Sequence, residues 1–195
     1  MPLLSGPLCP RCGQPQPSGM ACPDCARSSS PISSIRSVFR FEGIIRTAIH
    51  DLKYHNVRAI APTLAGYLVS VVPSNLGACD LILSVPLHPA RYKHRGYNQA
   101  ALLAGELGRI LGIPVSSVSL ERTREGSTQV RTRSLEERRR NVTDTFACTD
   151  IFIAGKRVML VDDVCTTGAT LESCAAALKS AGALDICGLT VAREV

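Results

Sequence analysis

Short apolar runs alternate along this chain with segments that repeat an apolar residue every three or four positions. Val158-Met159-Leu160-Val161 is one such run. A run with no polar interruption predicts a strand covered on both faces, as in a parallel sheet. It leads directly into Asp162 and Asp163, then into a Thr/Gly loop from Cys165 to Thr170. Leu171, Cys174, Ala175 and Leu178 follow at helical spacing, with Gly182 placed as a C′ stop. Upstream, Leu81 to Val85 reads as a strand stopped by Pro86. Ile113 to Leu120, Phe146 to Ile153 and Ile186 to Ala192 are further strands, and alternating Ile35 to Phe41 is an edge strand. Helical faces recur at Ile44, Ile45, Ala48, Ile49 and Leu52, ended by Asn56, and at Ile60, Leu64, Leu68 and Val71. A third runs through Leu103, Leu107, Ile110 and Leu111, closed by Gly112 with Pro114 beyond. Strands alternating with helices predict an α/β fold, a parallel sheet with helices on both faces.

The strand–loop–helix at 158–171 carries chemistry. Unpaired N–H groups at a helix start can hold a phosphate, and Thr hydroxyls add donors. Gly168 lets backbone approach closely. Two adjacent carboxylates beside a phosphate cradle suit a ligand with both a phosphate and neighbouring hydroxyls, as in ribose 5-phosphate. The bland alternative is an ordinary α/β turn with two solvated aspartates. The stretch resembles the phosphoribosyl-pyrophosphate (PRPP) signature of type I phosphoribosyltransferases. That resemblance implies that Asp162 and Asp163 face the ribose 2′- and 3′-hydroxyls and act as the catalytic carboxylates. It also implies that Thr166, Thr167, Gly168, Ala169 and Thr170 wrap the 5-phosphate, with Mg²⁺ accompanying PRPP. Purine-salvage members carry an Asp where this chain has Thr166, which argues against hypoxanthine or guanine as acceptor.

Two basic segments lie between. Pro86 to Gln99 reads as a polar loop at the carboxyl end of a strand, where open parallel sheets bind ligands. Arg91, Lys93 and Arg95 could meet a pyrophosphate there, and Gly96 could expose backbone N–H groups; a solvated basic loop is the alternative. Glu121 to Asn141 holds seven arginines against four glutamates. Gly126, Ser127 and Thr128 break its periodicity, so it reads as a mobile excursion that turns helical near Leu135. Arg124, Arg138, Arg139 and Arg140 are candidates for a hood that closes over PRPP or for contacts to a nucleic-acid backbone. A merely charged helix face also fits Glu137 to Arg140. Phe39, Phe41, Tyr54, Tyr92 and Tyr97 are the rings available to stack on bases.

The N-terminus is different in kind. Cys9-Pro10-Arg11-Cys12 and Cys22-Pro23-Asp24-Cys25 are paired C-x2-C knuckles, which set four thiolates around a tetrahedral structural zinc. Leu3, Leu4, Leu8 and Met20 are too few to order this segment, whereas a structural zinc contributes about 10–16 kcal/mol. Ala26 to Ser34 reads as a linker. Two parts are expected, a zinc module at 1–30 and the α/β domain at 31–195. With nine cysteines and no charged, apolar leader, a reducing cytoplasmic location is expected. No apolar stretch reaches the ~20 residues of a membrane span, so no membrane insertion is expected. The formal charge of +6 favours polyanionic partners. Of the other cysteines, Cys165 stands at a helix start, where a thiol pKa can be depressed.

Taken in order, the two knuckles, Asp51-Leu52-Lys53-Tyr54, Ser84-Val85-Pro86-Leu87-His88, Arg95-Gly96-Tyr97-Asn98-Gln99, then Arg124, Thr128-Gln129, Arg138 and Asn141, and finally the loop with Asp162, Asp163, Thr166, Thr167, Gly168 and Thr170 resemble the ComF (GntX-like) family of competence-associated proteins. The resemblance implies a bacterial cytoplasmic protein that binds PRPP or ribose 5-phosphate, contacts single-stranded DNA in DNA uptake and natural transformation, and meets other competence-machinery proteins. A catalytically active Mg²⁺-dependent phosphoribosyltransferase is the alternative. With Val195 just past the last strand, any acceptor site is expected from the zinc module and the residues near Phe39 to Tyr54.

Overall fold

The computed structural model describes residues 1–73, 79–123 and 146–195. In chain order the helices are α1 (Pro23–Arg27), α2 (Gly43–Tyr54), α3 (Ala61–Leu68), α4 (Pro89–Arg95), α5 (Gln99–Leu111) and α6 (Ala169–Ser180). The strands are β1 (Ser34–Arg40), β2 (Leu81–Ser84), β3 (Val115–Ser116), β4 (Glu121–Arg122), β5 (Phe146–Ala147), β6 (Arg157–Cys165) and β7 (Asp185–Arg193). Five strands form one parallel sheet in the order β1-β7-β6-β2-β3, which puts β6 at its centre.

The central strand shows why an unbroken apolar run was needed. Val158, Met159, Leu160 and Val161 are all buried. Met159 and Val161 belong to a core shared with α2, α3 and α5, through residues such as Ile49, Leu64 and Leu103. Val158 and Leu160 belong to a second core, with Leu171, Cys174 and Leu178 of α6. Successive side chains of a strand point to opposite faces, so both faces must be apolar.

Four expectations change. The acid pair does not follow the strand but lies within it, because β6 runs on to Cys165 in register with Arg193. Pro86 to Gln99 is not all loop: α4 starts with Pro89 at its first turn, capped by His88 Nδ1 accepting from Ala90 N–H. It ends at left-handed Gly96, the usual Pro-first, Gly-last asymmetry. The segment Ile113 to Leu120 pairs with β2 only at Val115–Ser116. Phe146–Ala147 does not rejoin the main sheet but pairs antiparallel with β4, and Ile151–Ile153 is a 3₁₀ turn. In the last two segments, short runs bracketed by polar residues lack the length to hold a ladder place.

The N-terminal segment covers the exposed edge of β1. Leu3 bridges Phe39 in antiparallel sense, Leu4 N–H donates to Val38 O, and Arg40 N–H donates to Pro2 O. Ile35 N–H donates to the Arg11 carbonyl within the first knuckle. An uncovered edge would present a row of unpaired backbone groups. Ser30, in the expected linker, is tied down by donating to the Glu172 carboxylate at 2.6 Å. No helix among the described residues is long and apolar enough to cross a membrane.

Candidate functional site

At the carboxyl ends of β2 and β6 lies a cleft of about 300 Å³. Strand alternation splits the acid pair. Asp163 continues the Met159/Val161 side and meets α2, where Lys53 Nζ lies 2.7 Å from its carboxylate. Asp162 continues the Val158/Leu160 side, and its Oδ1 accepts from the Asp163 N–H at 2.8 Å. Burial, and then the charge of Asp163, push the Asp162 carboxyl up to about 7. Both acids line the cleft together with Thr166, Thr170 and Arg95.

Several donors face the same space. Arg91 and Arg95 come from α4, and Asn98 and Gln99 from the start of α5. Asn98 is fixed twice: its Oδ1 caps α5 through the Ala100 N–H, and its Nδ2 donates to Val85 O at 2.9 Å. Gln99 is 1% exposed; its Oε1 accepts from Arg95 Nη1 at 3.0 Å, but its Nε2 has no partner among the described residues. Arg122 Nε is likewise buried without a partner, and its side chain lies over the Phe146 ring. Burial, and then the charge of Arg91, work against the Arg122 cation; a guanidinium nevertheless keeps its proton. A buried donor left unpaired costs about 1–3 kcal/mol. Both residues line the cleft, with these two nitrogens buried beneath its surface.

The phosphate-loop residues divide. Thr166 and Thr170 line the cleft, whereas Thr167, Gly168 and Ala169 form the turn behind them. Thr167 Oγ1 accepts from the Ala169 N–H, and Gly168 sits at φ +88° with Ile35 Cδ1 3.3 Å from where a Cβ would stand. Glycine is required there by both conformation and space. Gly96 departs from expectation: its N–H donates to Tyr92 O at 2.7 Å as the cap of α4, so it is not offered to a ligand. Cys165 departs too. Burial pushes its thiol up to about 11, despite the nearby Arg193 charge, so the helix start does not activate it. Of the five rings expected to meet bases, Phe39 and Tyr97 are buried, while Phe41 and Tyr54 line the cleft and Tyr92 is exposed. Arg124, Arg138, Arg139 and Arg140 lie outside the described residues.

The four knuckle cysteines, Cys9, Cys12, Cys22 and Cys25, converge, with all their sulfurs within 4.8 Å of one another. Cys12 and Cys22 Sγ are 3.8 Å apart. Tetrahedral metal–thiolate bonds of ~2.3 Å set sulfurs roughly 3.8 Å apart, so the cluster fits a structural metal. Burial pushes the Cys9 thiol up, but N–H groups of Cys22, Cys12 and Arg11 outweigh it and bring it down to about 6.

Arg193 joins the two regions, and nothing in the sequence pattern marked it. It is 2% exposed; its Nη1 donates to the Cys12 carbonyl at 2.8 Å and to Cys165 Sγ at 3.0 Å. Lys53 and Gln99 were visible only as members of short runs, without roles.

The chain matches a phosphoribosyl transferase domain over residues 98–193. It is 34% identical over 185 residues to the DNA utilization protein YhgH of Escherichia coli O157:H7, covering 92% of this chain and 81% of the relative. To competence protein F of Haemophilus influenzae it is 32% identical over 192 residues, covering 94% and 83%. To competence protein ComFC of Bacillus subtilis it is 27% identical over 202 residues, covering 98% and 80%. Identity at this level across most of both chains, on a parallel sheet with four clustered cysteines ahead of it, means that this chain belongs to the ComF/YhgH family of phosphoribosyltransferase-fold proteins.

Proposed function

We propose that the cleft binds the 5-phosphoribosyl group of PRPP or ribose 5-phosphate, and that the protein acts through it on single-stranded DNA during DNA uptake. The observation that carries the reading is a single cleft lined both by the acids Asp162 and Asp163 and by the donors Thr166, Thr170, Arg91 and Arg95. The donors suit phosphate oxygens. The carboxylates suit ribose hydroxyls, which can donate to them. The names of the relatives and the formal charge of +6 support the DNA role. Zinc is the metal we assign to the four thiolates, a structural role in which every ligand is used.

Isothermal titration with ribose 5-phosphate, and with PRPP plus Mg²⁺, tests the sugar-phosphate reading. Asp162→Asn with Asp163→Asn is expected to weaken both by about tenfold or more, the worth of one or two charge-assisted hydrogen bonds. Equal affinity in the double variant overturns it.

Turnover is a second reading, favoured by the acid pair Asp162 and Asp163 lining one cleft with Arg95. The bond from ribose C1 to the diphosphate oxygen would break as an acceptor bonds to C1. Asp162 and Asp163 would stabilise positive charge growing on the ring, and Arg95 would face the departing anion. Mg²⁺, bound with PRPP, would neutralise the diphosphate. Pyrophosphate release with a panel of bases, no faster than in the double Asn variant, would exclude catalysis on those bases.

A further inference from the structure

A second cavity of about 260 Å³ opens beside the first, sharing Lys53, Tyr54 and Arg95 with it. Asn56, Arg58, His94 and Tyr97 complete its wall, and no carboxylate among the described residues lines it. Lys53 is already engaged with Asp163. Among the described residues, neither arginine is neutralised in this way. Each lies on a ring, Arg58 over Tyr97 at 4.2 Å and Arg95 over Tyr54 at 4.6 Å. Each is steered by an amide oxygen: Arg58 Nε donates to Asn56 Oδ1 at 2.8 Å, and Arg95 Nη1 to Gln99 Oε1.

Asn56 makes this possible at a cost. At φ +58° it is the one described non-glycine residue in the left-handed region. Its carbonyl also accepts from the Arg58 N–H at 2.9 Å, so the strained turn sets both the backbone and the side chain of Arg58. A guanidinium carries five donors in a fixed fork. Stacking and one bond apiece orient these two forks, and both residues line the cavity. Two preset forks in a cavity lined by no carboxylate among the described residues suit a tetrahedral oxyanion.

Resting on the sugar-phosphate reading of the first cleft, we propose that the second cavity is a phosphate subsite for the acceptor. Arg58 holds a phosphomonoester or phosphodiester group of the molecule that meets the ribose phosphate next door, with Arg95, which lines both cavities, at the boundary between them. A strand's own phosphodiester and the phosphate of a small acceptor share this chemistry, and the test separates them.

The probes are ribose 5-phosphate, inorganic phosphate and 5′-phosphorylated dithymidylate, titrated at fixed ionic strength into wild type, Arg58→Lys and the double variant Arg58→Gln, His94→Gln. The double variant is expected to bind the dinucleotide about tenfold more weakly, as for loss of a charge-assisted pair, and ribose 5-phosphate within about twofold. Arg58→Lys keeps the charge but not the fork, and is expected to recover part of the loss. Melting temperatures close to wild type exclude unfolding as the cause. A dinucleotide that binds much more tightly than inorganic phosphate points to a strand; equal affinities point to a small phosphorylated acceptor. If wild type binds the dinucleotide but not ribose 5-phosphate, and the double variant loses it, the subsite stands and the ribose reading falls. Unchanged dinucleotide affinity in the double variant overturns the subsite, as does a lack of binding by both phosphate probes in wild type.

Discussion

The cysteine knuckle and the acid cleft are ordered by opposite means. The knuckle draws four ligands from the short span Cys9 to Cys25, and its apolar residues Leu3 and Met20 remain 57% and 70% exposed. Little but the metal can hold such a segment. The cleft draws on α2, α4, α5, α6, β4 and β6, and α2, α5, α6 and β6 are fixed by the buried cores. One region is local and suited to a metal; the other is nonlocal and sheet-dependent. Arg193 is where they touch, so each can feel the other's loss.

Removing the metal tests the contrast most severely. Chelation is expected to release most of the ~10–16 kcal/mol that such a site supplies. Limited proteolysis should then cut within residues 1–30 while the fragment spanning β6 and α6 survives. Survival of the N-terminal segment would show that its pairing with β1 suffices. Ribose 5-phosphate affinity should fall several-fold in the same sample, because Arg193 would lose the Cys12 carbonyl that places it beside Cys165.

Cutting the link is the next largest change. Arg193→Met leaves the Cys12 carbonyl and Cys165 without this donor, at an expected cost of about 1–3 kcal/mol in urea unfolding. It should also uncouple the regions, so that chelation no longer alters sugar-phosphate affinity. Coupling that persisted in this variant would assign the link elsewhere.

The smallest effect concerns the cleft alone. The Asp162 carboxyl stands at about 7 in the fold, above the ~3.9 of an unfolded chain. The folded state therefore binds the extra proton between these values. Its contribution to stability is full below pH ~4 and is lost as pH rises through about 7. The melting temperature of wild type relative to Asp162→Asn should fall by a few degrees between pH 5 and 8, at about 2–4 °C per kcal/mol. Parallel pH profiles would mean that Asp162 ionises as an ordinary carboxylate.

Much of this was legible from residue order. The unbroken run Val158 to Val161 marked the central strand, and Leu171 to Leu178 the helix behind the Thr/Gly turn, because burial on two faces and on one face leaves different periods. Paired C-x2-C spacing located a metal-compatible cluster for the same reason: the geometry lies within one short segment. The helix α4 was misread although its signals, Pro89 and Gly96, were present, since a cationic run between turn residues also describes a loop. The division of Asp162 from Asp163 was missed because adjacency in sequence says nothing of where a strand ends.

Sequence alone thus determined the central strand, the helix after it, the parallel sheet and the cysteine cluster, whose signals lie between near neighbours. Which donors would be left unpaired, which acid would meet Lys53, and that Arg193 would reach from the last strand to the first knuckle depended on contacts between residues as many as 181 positions apart. Such contacts leave no local period to read. They exist only once packing has brought distant segments together and removed the water that would otherwise have satisfied them.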